Sequence, residues 1–123
     1  MDVPDDVRKA IAAHGLWKAR LQDAVQAGRS DYRASEVALA DRCDFGRWLE
    51  AQPPATRGEA WARIAALHAE FHVAAAAVLY RLEAGDPVGA ARMMAHGEPY
   101  SMASSRLTMA MLAWARDTRP PRT

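Results

Sequence analysis

Apolar side chains in this chain recur at steps of three and four residues, the period of a helix with one buried face. Ile11, His14, Trp17, Leu21 and Val25 form the first such stripe. It predicts a helix starting near Pro4, with Asp2, Asp5 and Asp6 at its positive end, and stopping at Gly28. A polar connection, 29–34, leads to a second, shorter helix that begins after Ser35 and must end before Pro53-Pro54. Leu39, Cys43, Gly46 and Leu49 share one face of it. Thr56-Arg57-Gly58-Glu59 reads as a capping box opening the third helix. The stripe of that helix runs through Trp61, Ile64, Ala65, His68, Phe71, His72, Ala75, Val78, Leu79 and Leu82, up to Gly85-Asp86-Pro87. A short helical piece from Pro87 to about Ala95 precedes Gly97-Glu98-Pro99. The last helix, from Tyr100 to Arg116, shows Leu107, Met111 and Trp114 on one face.

No alternating strand pattern and no Asn-Gly or Asp-Gly hairpin turn interrupts this. Alanine, leucine and arginine dominate while valine, isoleucine and threonine are sparse, which favours helix nearly everywhere. The expectation is an all-α fold: an antiparallel four-helix bundle with an extra short helix. At 123 residues the chain is expected to be one domain, with an ordered core over 4–116 and a disordered tail over 117–123.

Charge excludes one class of partner. Sixteen basic against fifteen acidic side chains leave a formal charge of +1, and no basic run marks a nucleic-acid face. The beginning, MDVPDDVRKA, is acidic and polar, unlike a signal peptide. The apolar run from Val73 to Tyr80 is too short to cross a bilayer, so no membrane span is expected. A single cysteine, Cys43, allows no internal disulfide and fits a reducing, cytoplasmic setting.

The chemistry lies in where the histidines fall. His14 sits in the middle of the first stripe; His68 and His72 sit in that of the third helix, four residues apart. That spacing puts both imidazoles on one face, a turn apart. One histidine on an apolar stripe is ordinarily a core residue with a hydrogen-bond partner. Three of them with the only cysteine would leave several buried nitrogens in need of partners, which a metal ion satisfies. Three imidazoles and one thiolate, from His14, Cys43, His68 and His72, make a closed tetrahedral set that suits zinc, one ion per chain. Four protein ligands leave no position for a reactive water, so an enzyme is not expected. A ferritin-like di-iron centre is excluded as well, because Ile11, Ala65, Ala69 and Met93 stand three before the four histidines, where glutamate would be needed.

These residues also resemble a known family, the chemoreceptor zinc-binding (CZB) domain. Its pattern is His-x-x-Trp, then Cys-x-Phe/Leu-Gly-x-Trp, then His-x-x-x-His. The chain has His14-Gly-Leu-Trp17, Cys43-Asp-Phe45-Gly46-Arg-Trp48 and His68-Ala-Glu-Phe-His72, with intervals of 25 and 19 residues. The resemblance implies that His14, Cys43, His68 and His72 are zinc ligands and that Trp17, Phe45, Gly46 and Trp48 support them. It further implies a four-helix-bundle-like fold, a homodimer, and a zinc-sensing or oxidant-sensing role beside a chemoreceptor or a diguanylate cyclase, here as a stand-alone form.

Other polar and sulfur-bearing residues carry less. His96, beside Gly97, reads as a capping or surface residue, and the methionines as packing. Asp44 and Glu70 are the weak candidates for a general base that an enzymatic zinc would need. A structural zinc that merely staples the bundle is the alternative to a sensor.

Overall fold

The structure is a computed structural model that describes residues 3–31, 33–38 and 43–117, the side chains of Val3, Pro4 and Thr56 apart. Six α-helices and no strand occur among the described residues, 82% of which are helical. They are α1 (Val3–Ala27), α2 (Ala34–Val37), α3 (Asp44–Ala51), α4 (Glu59–Glu83), α5 (Pro87–Met93) and α6 (Pro99–Asp117). The bundle is built on three long helices, α1, α4 and α6, with α4 packed against α6, α2, α5 and α3, and α1 packed against α6 and α5.

The helix stops follow from local chemistry. α1 ends where Gly28 takes φ of 79°, α4 where Gly85 takes 85°, a backbone region that a Cβ disfavours. Asp86 caps α5: its Oδ1 accepts from the Gly89 N–H at 2.8 Å, and Pro87 at the first helical position loses no bond.

The predicted second helix is two pieces. A four-residue turn, α2, precedes α3, and Cys43 caps α3 rather than sitting inside a helix. Its Sγ takes up an N–H of the first turn, which an interior residue could not do. Gly46 accordingly lies in the first turn of α3 and not in a helix interior. Leu39 of the expected stripe falls outside the described residues, as does the tail from 118 onward. The capping box is also replaced: Thr56 closes a short 3-10 turn (Pro54–Thr56), and Gly58, with no side chain to offer, precedes α4. Arg57 holds this corner instead. Its guanidinium donates to the carbonyls of Gln52 at 3.0 Å and Glu50 at 2.7 Å and stands 4.4 Å over the Trp61 ring. The Trp61 indole N–H donates to the Leu49 carbonyl at 2.9 Å.

The core follows the stripes closely. Leu21 and Val25 of α1, Ile64, Phe71, Ala75, Val78, Leu79 and Leu82 of α4, and Leu107, Met111 and Trp114 of α6 are buried. Val7, Tyr100 and Ala103 extend that core beyond the predicted positions. By length and composition alone α4 is long and apolar enough to cross a membrane, because Ile64, Ala65, Ala66, Leu67 and Phe71 lengthen the Val73–Tyr80 run on its N-terminal side, beyond the short span expected from that run. Its buried face, however, is the centre of this bundle.

Leu79 is fully buried at the middle of that face. Leu79→Ala is expected to destabilise the fold by about 2–5 kcal/mol, read as a lower urea midpoint with an unchanged slope.

Candidate metal centre

Three elements bring the donor atoms together. α4 carries His68 and His72 one turn apart, and their Nε2 atoms lie 3.0 Å from each other. The start of α3 brings Cys43, whose Sγ lies 3.1 Å from His68 Nε2. Sγ also accepts from the Gly46 N–H at 3.3 Å, so the same sulfur is a helix cap and a potential ligand. The end of α2 brings the Val37 carbonyl, which accepts from His72 Nδ1 at 2.8 Å. A proton on Nδ1 leaves Nε2 as a lone pair, aimed at the cluster. The ligand atoms of Cys43, His68 and His72 all lie within 4.8 Å of one another, a grouping able to hold a metal ion.

His14 stands beside this group and not in it. Its Nε2 lies 3.1 Å from the Ser104 hydroxyl of α6, and its ring packs edge-on against Phe71 at 4.3 Å. It nevertheless lines the same cavity as Cys43, His68 and His72, a space of about 390 Å3. Exposed Leu16 and Arg20 also line that cavity, so it opens to solvent.

Burial sets the protonation states. It lowers the His68 pKa from 6.5 to about 3, helped by the neighbouring His72 and His14. It lowers that of His14 to about 4, followed in effect by the charges of Lys18 and His72. His72 is lowered by burial too, partly offset by its bond to Val37. Three neutral imidazoles therefore face the cavity at neutral pH, as ligation requires. Burial raises the Cys43 thiol more than the N–H groups at the start of α3 lower it. A divalent cation beside Sγ is what would draw it to thiolate.

This donor set fits zinc. Two imidazole nitrogens and a sulfur converge, one imidazole is oriented through its other nitrogen by a carbonyl, and no carboxylate belongs to the group. Asp44 and Glu70 are exposed, Asp44 pairing with Arg47 at 3.6 Å, and His96 is exposed in the turn between α5 and α6.

A sequence model of the chemoreceptor zinc-binding domain matches residues 14–79, more than half of the 123-residue chain. The chain belongs to this zinc-binding family. No curated protein and no solved structure gave a match. The matched span covers all three CZB motifs, and the structure shows what their supporting positions do. Phe45 meets the His68 ring edge-on at 5.3 Å and stacks on Trp48 at 5.8 Å. Trp48 in turn lies 5.6 Å from Trp114 of α6. Trp17 packs against Phe71 at 6.1 Å, the ring that also holds His14. Ser104 and the Val37 carbonyl were missed by the sequence reading. A polar residue one turn after Tyr100 and three before Leu107, on an otherwise apolar stripe, was the signal for Ser104. A backbone carbonyl leaves no signal.

With metal removed, acid should loosen this centre. Folded His14, His68 and His72 have pKa values below the 6.5 of the unfolded chain, so below 6.5 the unfolded state binds more protons. The urea midpoint of the metal-free protein is expected to be flat between about pH 7 and 8 and to fall as pH drops from 6.5 toward 4. His68→Phe, which removes one such group, should flatten that slope.

Proposed function

We propose that this CZB domain is a regulatory sensor whose zinc site responds to zinc availability or to oxidation of Cys43. The observation that carries the reading is the position of the sulfur. Cys43 Sγ belongs to the donor group, caps α3, and lies on the wall of a cavity open to solvent. A change at that one atom therefore reaches the ligand set and the start of a helix together. The chemistry needs only a two-electron oxidant such as hypochlorous acid. The thiolate sulfur takes its oxygen to become sulfenic acid, loses two electrons, and chloride leaves. A sulfenic acid is a poorer soft donor than a thiolate, and losing a donor weakens a fold that shares free energy with its metal.

Zinc would be held by His14, Cys43, His68 and His72, one ion per chain, and no turnover is assigned to it because exposed Asp44 and Glu70 lie outside the group. The output is proposed to reach a chemotaxis or cyclic-di-GMP signalling protein in the cytoplasm, with the domain acting as a homodimer. Apolar side chains left exposed on two long helices, Val73 and Tyr80 on α4 and Met109 and Leu112 on α6, support self-association. The second reading is a structural zinc, favoured by His68, which is buried in the core at 5% exposure.

The test is zinc stoichiometry and free-thiol content before and after a brief hypochlorite pulse. One zinc per chain, released in step with thiol loss, is expected. Cys43→Ser should weaken zinc binding at least tenfold and abolish the response to the pulse. Zinc retained through thiol oxidation would leave the structural reading. Protein that takes up no zinc would remove the metal centre altogether.

A further inference from the structure

Among the described residues two polar side chains are classed with the core, His68 and Ser104. His68 belongs to the donor group. Ser104 is 2% exposed, on a stripe of α6 otherwise made of Tyr100, Ala103, Leu107, Met111 and Trp114. A buried hydroxyl is costly unless it is bonded, and alanine, abundant in this chain, would fill the same space without that cost. The partner Ser104 has is His14 Nε2, at 3.1 Å, across 90 positions of sequence. Phe71 packs edge-on against that imidazole, ring centroids 4.3 Å apart. An imidazole has two nitrogens, and with Nε2 engaged by the hydroxyl, Nδ1 is the one left free to ligate. His72 shows the same division of labour: Nδ1 is tied to the Val37 carbonyl and Nε2 faces the group.

We propose that Ser104 is a positioning residue of the metal centre, holding His14 by Nε2 so that Nδ1 is its ligating atom. An Nε2–H donated to the hydroxyl fixes the tautomer, orients the ring and makes Nδ1 a better donor. The inference rests on the zinc reading and goes beyond it in two ways. It adds a residue outside the matched span 14–79, and it ties α6 to the occupancy of a site whose other parts lie on α1, α2, α3 and α4.

The experiment measures zinc affinity by chelator competition for the wild type, Ser104→Ala and Ser104→Thr, with long-range 15N NMR of the His14 ring in zinc-loaded wild type. Ser104→Ala is expected to bind zinc about 10- to 100-fold more weakly, and Ser104→Thr, which keeps the hydroxyl, to recover most of that loss. The NMR spectrum should show the metal on Nδ1 and the proton on Nε2. Unchanged affinity in Ser104→Ala would overturn the proposal. Tighter binding would overturn it too, since it would mean that the hydroxyl draws the ring away from the metal. Should Ser104→Ala fail to fold, the wild-type spectrum decides by itself, and metal on Nε2 sinks the assignment. Wild type that binds no zinc sinks the metal centre, whereas the other negative results sink only the role of Ser104.

Discussion

The hydrogen bond from His72 Nδ1 to the Val37 carbonyl, 2.8 Å long, does two jobs that the site needs at once. It fixes the imidazole tautomer, so the Nε2 lone pair is directed at His68 and Cys43. It also anchors the end of α2, a turn of four residues that would not persist alone. The other end of α2 is held by the same long helix, where Glu83 accepts from the Ala34 N–H at 2.8 Å. α4 thus fastens at both ends the segment that leads toward Cys43. The packing of Phe45 on His68 then sets where α3 begins.

The three CZB motifs look different from this standpoint. Cys-x-Phe-Gly-x-Trp is a helix start in which every named residue has a task. Cys43 caps, the Gly46 N–H is capped, Phe45 covers His68, and Trp48 reaches Trp114 on α6. A row of aromatic contacts joins the donor group to α6 on one side, and His14 and Ser104 join it on the other.

Much of this was legible in the sequence because helix period and burial are local properties. The stripes of α4 and α6 named most of the core, and the histidines stood out as polar residues on apolar stripes. What was misplaced lay around Cys43. A three- and four-residue rhythm through Leu39, Cys43 and Gly46 reads equally as one helix or as a turn followed by a capped helix. Only the tertiary bonds of His72 and Phe45 decide between them. The capping box near Thr56 failed for a similar reason: Arg57 reaches back to two carbonyls and bends the chain there, so α4 starts behind Gly58. His14 was named from its stripe, but the atom it turns to Ser104 depends on a helix 90 positions away.

That separation bears on the order in which the molecule assembles. Sγ and His68 are 25 positions apart and His14 and Ser104 are 90, so the contacts that close the site belong to large chain loops. Closing large loops costs entropy that only neighbouring packing can offset, so such contacts form late on the way to the native state. A ligand that needs the complete donor set meets it only after α1, α4 and α6 have come together. Its binding energy then falls on the native side of the folding barrier. Bound metal would act chiefly by slowing escape from the folded state, with little influence on how fast that state is reached.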